Sequence, residues 1–142
     1  MTDSLVEFSC ATQSQLNAIL DFWAENAENH ARPSDSMELL EQLLTRDPDA
    51  LIIATLENKV VGTVIAGWDG WRGSIYRLAV DKNLKRNGLG RELMAKAEER
   101  LSKLGATRVN AMVFQENKEA HPFYERIGYS IQNEWRRWIK KI

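Results

Sequence analysis

At 142 residues the chain has the length of one domain and can bury a core of its own. Its 44% hydrophobic and 27% charged residues with a formal net charge of -1 exclude a strongly basic nucleic-acid binder, and no apolar run reaches the ~18 residues of a membrane span. The lone cysteine, Cys10, excludes an intrachain disulfide and a tetrathiolate metal site, so we expect no metal, no nucleic acid and no membrane among the partners.

In chain order, residues 1–10 (MTDSLVEFSC) lack the basic start and apolar run of a signal peptide, and the expected location is the cytoplasm. Residues 5–11 alternate loosely and predict a first strand, with Cys10 a small core residue at its end. Thr12 with Gln15 makes a capping-box pattern ahead of Leu16, Ile19, Leu20 and Trp23, which recur at helical spacing until residues 29–33. A second helix starts at Ser34 or Asp35, carries Met37, Leu40, Leu43 and Leu44 on one face, and stops at Asp47-Pro48.

Residues 50–56 and 60–66 are apolar runs around a short Glu57-Asn58-Lys59 turn, which predicts a hairpin. The glycine-punctuated turn 67–73 leads into a strand over 74–80. Residues 88–104 are amphipathic, with Leu89, Leu93, Ala97, Leu101 and Leu104 inward, and Glu92/Lys96 and Glu99/Lys103 outward as i,i+4 pairs. Gly105 stops that helix. A strand over 108–114, a short helix over 118–127 ended by Gly128, and closing strands over 129–131 and 133–139 complete the order. A mixed sheet flanked by helices follows, with one strand–helix–strand unit suited to a parallel pair, all in a single domain over 1–142.

The segment 78–91, Leu-Ala-Val-Asp-Lys-Asn-Leu-Lys-Arg-Asn-Gly-Leu-Gly-Arg, runs from a strand through a basic loop into a helix. Gly88 and Gly90 let an anion approach the backbone, the first helical N–H groups lack intrahelical acceptors, and Lys85, Arg86 and Arg91 add positive charge. That suits a diphosphate. The GxxxxGK[ST] spacing of a P-loop is missing, and Leu93 stands where a dinucleotide fingerprint needs a third glycine or alanine.

Residues 85–90, Lys-Arg-Asn-Gly-Leu-Gly, resemble the (Gln/Arg)-x-x-Gly-x-(Gly/Ala) signature of the GNAT superfamily of N-acetyltransferases, with Lys85 departing from its first position. Asn117, Ala120, Phe123, Tyr124, Gly128 and Tyr129 resemble the family's second signature, one helix and one strand later. The resemblance implies an α/β (α+β) fold with a mixed, mostly antiparallel central sheet of six to seven strands and about four helices. It implies an acetyl-coenzyme A-dependent N-acetyltransferase acting on a primary amine of a small molecule or peptide by direct attack in a ternary complex. It further implies that Leu78 and Val80 hold the pantetheine arm through their backbones. Lys85, Arg86, Asn87, Gly88, Leu89, Gly90 and Arg91 would cradle the pyrophosphate, Asn117 would contact the pantetheine or the neighbouring chain, and Tyr124 would serve the sulfur as the catalytic donor. The alternative is a non-catalytic acyl-coenzyme A-binding sensor. It draws on Tyr76, which stands where many relatives carry a carboxylate base; the alternatives for that base are Asp69, His121, a relayed water or an acceptor amine of low pKa.

On the acceptor side, residues 30–35 (His-Ala-Arg-Pro-Ser-Asp) and 67–73 (Gly-Trp-Asp-Gly-Trp-Arg-Gly) are similar to a small bacterial subgroup of mostly uncharacterised acetyltransferases. Arg32 would either pair with a substrate carboxylate or sit in a surface ion pair at a helix terminus, and Asp69 would join it in binding substrate. Trp23, Trp68 and Trp71 either line a cleft or pack in the core or at its rim. Trp135 and Trp138, three apart on a terminal strand, would face opposite sides, the outward one either marking a homodimer contact or buried under the adjacent helix.

Overall fold

The computed structural model describes residues 5–28 and 35–142. The chain divides into two compact units, Met1–Met112 and Val113–Ile142.

The first unit runs β1 (Val6–Cys10), α1 (Leu16–Asn26), α2 (Met37–Arg46), β2 (Leu51–Leu56), β3 (Lys59–Trp68), β4 (Gly73–Val80), α3 (Leu89–Leu104) and β5 (Val109–Ala111). The five strands form one sheet in sequence order. β1 to β4 pair antiparallel, and β4 and β5 pair parallel across the α3 crossover. Residues 51–54 of β2 are buried without alternation, as a strand covered on both faces must be. Leu16, Ile19, Phe22 and Trp23 of α1 and Leu40 of α2 pack with Leu51, Ile53 and Ala79. Leu89, Leu93, Met94, Ala97 and Leu101 are the buried residues of α3.

Local chemistry sets the boundaries. The Thr12 N–H donates to Gln15 Oε1 at 2.9 Å. Ser36, rather than Ser34 or Asp35, caps α2, its hydroxyl accepting from the Leu39 N–H at 3.2 Å; Ser34 lies outside the described residues. Glu57 and Asn58 both have positive φ, 51° and 64°, which matches the twist a two-residue hairpin needs. At Gly105, the N–H groups of Gly105 and Ala106 return to Ser102 and Leu101, closing α3 with a left-handed residue. Lys103 pairs with Glu99 at 3.4 Å, while the Lys96 ammonium lies over the Phe8 ring at 4.9 Å.

β3 passes close under α3. A Cβ added to Gly62 would lie 2.8 Å from Leu93 Cδ1, and Leu93 has no exposed surface through which to move. Gly62→Val is therefore expected to destabilise the fold by ~1–3 kcal/mol, the usual cost of overpacking; urea unfolding at the wild-type midpoint would disprove this close approach.

In the second unit α4 (Ala120–Arg126) ends at Gly128 (φ 101°), where the N–H groups of Gly128 and Tyr129 return to Glu125 and Tyr124. Residues 129–142 form no strand, so the described residues hold five strands rather than six to seven, and β5 shrinks to Val109–Ala111 from the expected 108–114. Alternation makes a strand only where a partner completes its ladder. Trp135 and Trp138, expected on opposite faces, are both exposed. Two further expectations fail: Leu104 is exposed in the last turn of α3, and Cys10 is exposed at the end of β1. Partial desolvation and the nearby Asp49 carboxylate raise the Cys10 pKa. No helix among the described residues is long and apolar enough to cross a membrane.

Candidate functional site

β4 is the strand that organises the site. Its parallel pairing with β5 ends at Ile75↔Ala111, so residues 76–80 continue with no partner in the β5 ladder. On its other side β4 gains one residue against β3, since Thr63 faces Ala79 while Ile65 faces Tyr76. The extra residue is a β-bulge at Arg77–Leu78. Arg77 sits at φ 53°, a left-handed conformation that a side chain with Cβ adopts only under constraint. Leu78 and Val80, the two positions expected to hold a pantetheine arm, lie half-buried on this stretch, whose β5 side is open.

Past Val80 the chain turns through the Asp81 side chain, which accepts from the Asn83 N–H at 2.8 Å. The Lys82 N–H donates to Asn26 Oδ1 at 3.0 Å, tying this loop to the end of α1. Gly88 caps α3 at φ 80°, and a Cβ there would meet nothing within 4 Å. Lys85, Arg86, Asn87, Gly88 and Arg91 are exposed, Gly90 is half-buried, and Leu89 is buried in the core. Leu89 thus seats the start of the helix in the core. A sixteen-residue helix with an open, glycine-capped N-terminus and three cations beside it is suited to hold a polyphosphate.

In the second unit, the Asn117 N–H donates to the Phe114 carbonyl at 2.9 Å, and the Asn117 carbonyl accepts from Ala120 at 3.1 Å. His121 Nε2 lies 3.3 Å from the Phe114 carbonyl, which fixes a proton on that nitrogen and uses it. The Tyr124 ring packs edge-on against Phe123 and Tyr129, with centroids 5.3 and 5.5 Å away. Burial pushes the Tyr124 hydroxyl up to about 12.

Asp69 is taken up by its own turn. Its carboxylate accepts from the Arg72 N–H at 2.6 Å and the Trp71 N–H at 2.8 Å, and these two bonds lower its pKa, which weakens it as a base. Trp71 is exposed and stacked under Arg72, whose guanidinium lies 4.1 Å from the ring centre. Trp23 is core, and Trp68 is half-buried. Tyr76 is 49% exposed, with its ring against Gly67, where a Cβ would come within 3.1 Å of Tyr76 Cε2. Arg32 and His30 lie outside the described residues.

Sequence reasoning missed the parts beneath the bulge. Trp23 Nε1 donates to Thr63 Oγ1 at 2.8 Å, and Thr63 Oγ1 donates to the Arg77 carbonyl at 2.8 Å. The Arg77 guanidinium lies over the Trp23 ring, bonds the Glu28 carbonyl at 3.0 Å and pairs with the Asp35 carboxylate. The available signal was a hydroxyl and a charge inside otherwise apolar strands, Thr63 and Arg77. They are the only buried polar or charged residues among those described, and such groups are buried only with partners.

Residues 16–129 match the acetyltransferase (GNAT) family. The chain is 30% identical over 129 residues to an acetyltransferase of Yersinia enterocolitica, covering 90% of each chain. It is 29% identical over 125 residues to one of Pectobacterium atrosepticum, covering 87% of each. The fold is similar to that of Ard1 from Thermoplasma volcanium, with a TM-score of 0.78, 19% identity, and coverage of 90% of this chain and 84% of the other.

Proposed function

We propose, from the premise that the chain belongs to the GNAT family of acetyltransferases and is an acyltransferase, that it moves an acetyl group from acetyl-coenzyme A to a primary amine of a small molecule or peptide. The carrying observation is the continuity of one segment: the stretch 76–80 of β4, unpaired on its β5 side, leads through the 81–87 loop into the open, Gly88-capped end of α3. A pantetheine arm can add to the first as an extra strand, and a pyrophosphate can dock on the second. On this reading one GNAT domain spans residues 1–142.

The residue roles follow from their chemistry. Backbone groups of Leu78 and Val80 bind the pantetheine amides. Backbone N–H groups of Arg86, Asn87, Gly88, Leu89, Gly90 and Arg91 bind the pyrophosphate, with the Lys85, Arg86 and Arg91 side chains adding charge. Asn117 contacts the pantetheine. The Leu78 N–H, lying at the bulge, polarises the thioester carbonyl and receives the charge that gathers on its oxygen as the amine attacks. The Tyr124 O–H donates to the departing sulfur. Because the Asp69 carboxylate serves the Trp71 and Arg72 amides, the acceptor amine loses its proton to water or arrives neutral. The substrate contact of Arg32 remains part of this proposal; Asp69 shapes its own turn.

Thiol release from acetyl-coenzyme A over a panel of amines tests the reading. Turnover on at least one amine is the expected result, and tight binding with no release on any amine would favour the sensor instead. The tyrosine gives a second check. A raised pKa keeps the protonated donor present to higher pH, so turnover should not fall near pH ~10, where an ordinary tyrosine ionises. A descending limb centred there, absent from Tyr124→Phe, would show that the buried hydroxyl titrates normally.

A further inference from the structure

We propose that Arg77 and Thr63, with the Trp23 indole behind them, are positioning residues whose task is to hold the β4 bulge so that the Leu78 N–H meets the thioester carbonyl. The inference rests on the function proposed above and extends it to residues that touch neither substrate.

Gly73 and Arg77 are four positions apart on one strand. In an unbroken strand an even step returns to the same face. Here a Cβ on Gly73 would meet Leu101 of α3 at 3.1 Å, whereas the Arg77 guanidinium lies over Trp23 of α1 at 5.1 Å. The strand has therefore changed face between them, and the inserted bulge residue is what changes it. The left-handed φ of Arg77 is the local form of that switch.

Contacts at both ends of Arg77 hold it there. Its carbonyl accepts from Thr63 Oγ1. A hydroxyl has one proton to give, and an indole N–H can only donate, so the direction of the chain is fixed: Trp23 gives to Thr63, and Thr63 gives to Arg77. Thr63 has no exposed surface, so solvent cannot replace either bond. At its other end Arg77 grips the Glu28 carbonyl, just past α1, and the Asp35 carboxylate, just ahead of α2. The peptide that follows the Arg77 carbonyl carries the Leu78 N–H, so fixing this carbonyl orients that donor.

The test needs no acceptor. Acetyl-coenzyme A isotope-labelled at the acetyl carbonyl is bound to the full chain, and the carbonyl stretch is read by difference infrared spectroscopy. In the wild type the band should lie below that of free acetyl-coenzyme A. Thr63→Val should return it toward the free position, and Thr63→Ser, which keeps the hydroxyl, should hold it at the wild-type frequency. Coenzyme A affinity, measured by calorimetry, should survive in both, which a general loss of structure would not allow. If Thr63→Val does not fold, Asp35→Asn reads the same band from the other end, with a partial return expected. A wild-type frequency in folded Thr63→Val, or in Asp35→Asn should the valine variant not fold, overturns the proposal, as does an unshifted band in the wild type. Failure of the wild type to bind acetyl-coenzyme A at all would instead remove the functional reading on which this one stands.

Discussion

Gly88→Glu should weaken acetyl-coenzyme A binding by about 100-fold or more, roughly 3 kcal/mol, while the protein still folds. Two effects act at this position. The residue holds φ 80°, where any side chain costs roughly 1–2 kcal/mol of backbone strain. The new carboxylate would also stand at the helix end that favours negative charge, and so compete with the pyrophosphate it faces. Space is not at issue, because a Cβ meets nothing within 4 Å. Gly88→Ala separates the two effects, since it carries the strain without the charge. Alanine should bind the cosubstrate nearly as well as glycine but unfold at lower temperature. Wild-type calorimetric affinity in the glutamate variant would remove the pyrophosphate from this end of α3. Equal losses in both variants would assign the effect to the backbone.

Tyr124→Phe should lower turnover by about 10-fold or more and leave acetyl-coenzyme A affinity unchanged. The substitution isolates the hydroxyl, because phenylalanine keeps the edge-on packing against Phe123 and Tyr129. With its pKa pushed up to about 12 by burial, the hydroxyl stays protonated at every assay pH. Full transfer of that proton to a thiolate of ordinary pKa ~8.5 is uphill by roughly 3–4 pH units. The expected part is thus a hydrogen bond to the developing thiolate, with water supplying the proton afterwards. A steady-state assay on any accepted amine decides the matter, and undiminished turnover would take Tyr124 out of the mechanism.

Much of the sheet was legible because its signals are local. The run 50–56 reads as a buried hairpin strand and forms β2, Gly105 and Gly128 stop their helices with left-handed residues, and the spacing of Leu89, Leu93, Ala97 and Leu101 survives intact in α3. Leu104 breaks that series, since an inward position needs an element opposite it and the last turn of the helix lacks such cover. The tail misled for a related reason. Tyr129, Ile131, Trp135 and Ile139 have the residue types of strands, yet a strand is a property of two chains in register and not of one alternating segment.

The candidate site divides along the same line. Gly88, Gly90 and the neighbouring cations mark a helix start suited to an anion from the sequence alone, because helix ends and glycine conformations depend on a few consecutive residues. Asp69 stood out as a carboxylate between glycines, but its oxygen serves the Trp71 and Arg72 amides. No spacing rule joins Trp23, Asp35, Thr63 and Arg77, which come from α1, the approach to α2, β3 and β4.

By itself, then, the sequence determined the order of elements from β1 to α4, the acetyltransferase family and the glycine-capped, cation-flanked start of α3, all of which rest on periodicity and short motifs. Only the tertiary structure decided where β5 leaves β4, which residue bulges, and that a buried threonine hydroxyl and an arginine charge meet under that bulge. Those outcomes depend on register and on burial between elements distant along the chain, and such contacts are specified by packing in three dimensions rather than by neighbours in sequence.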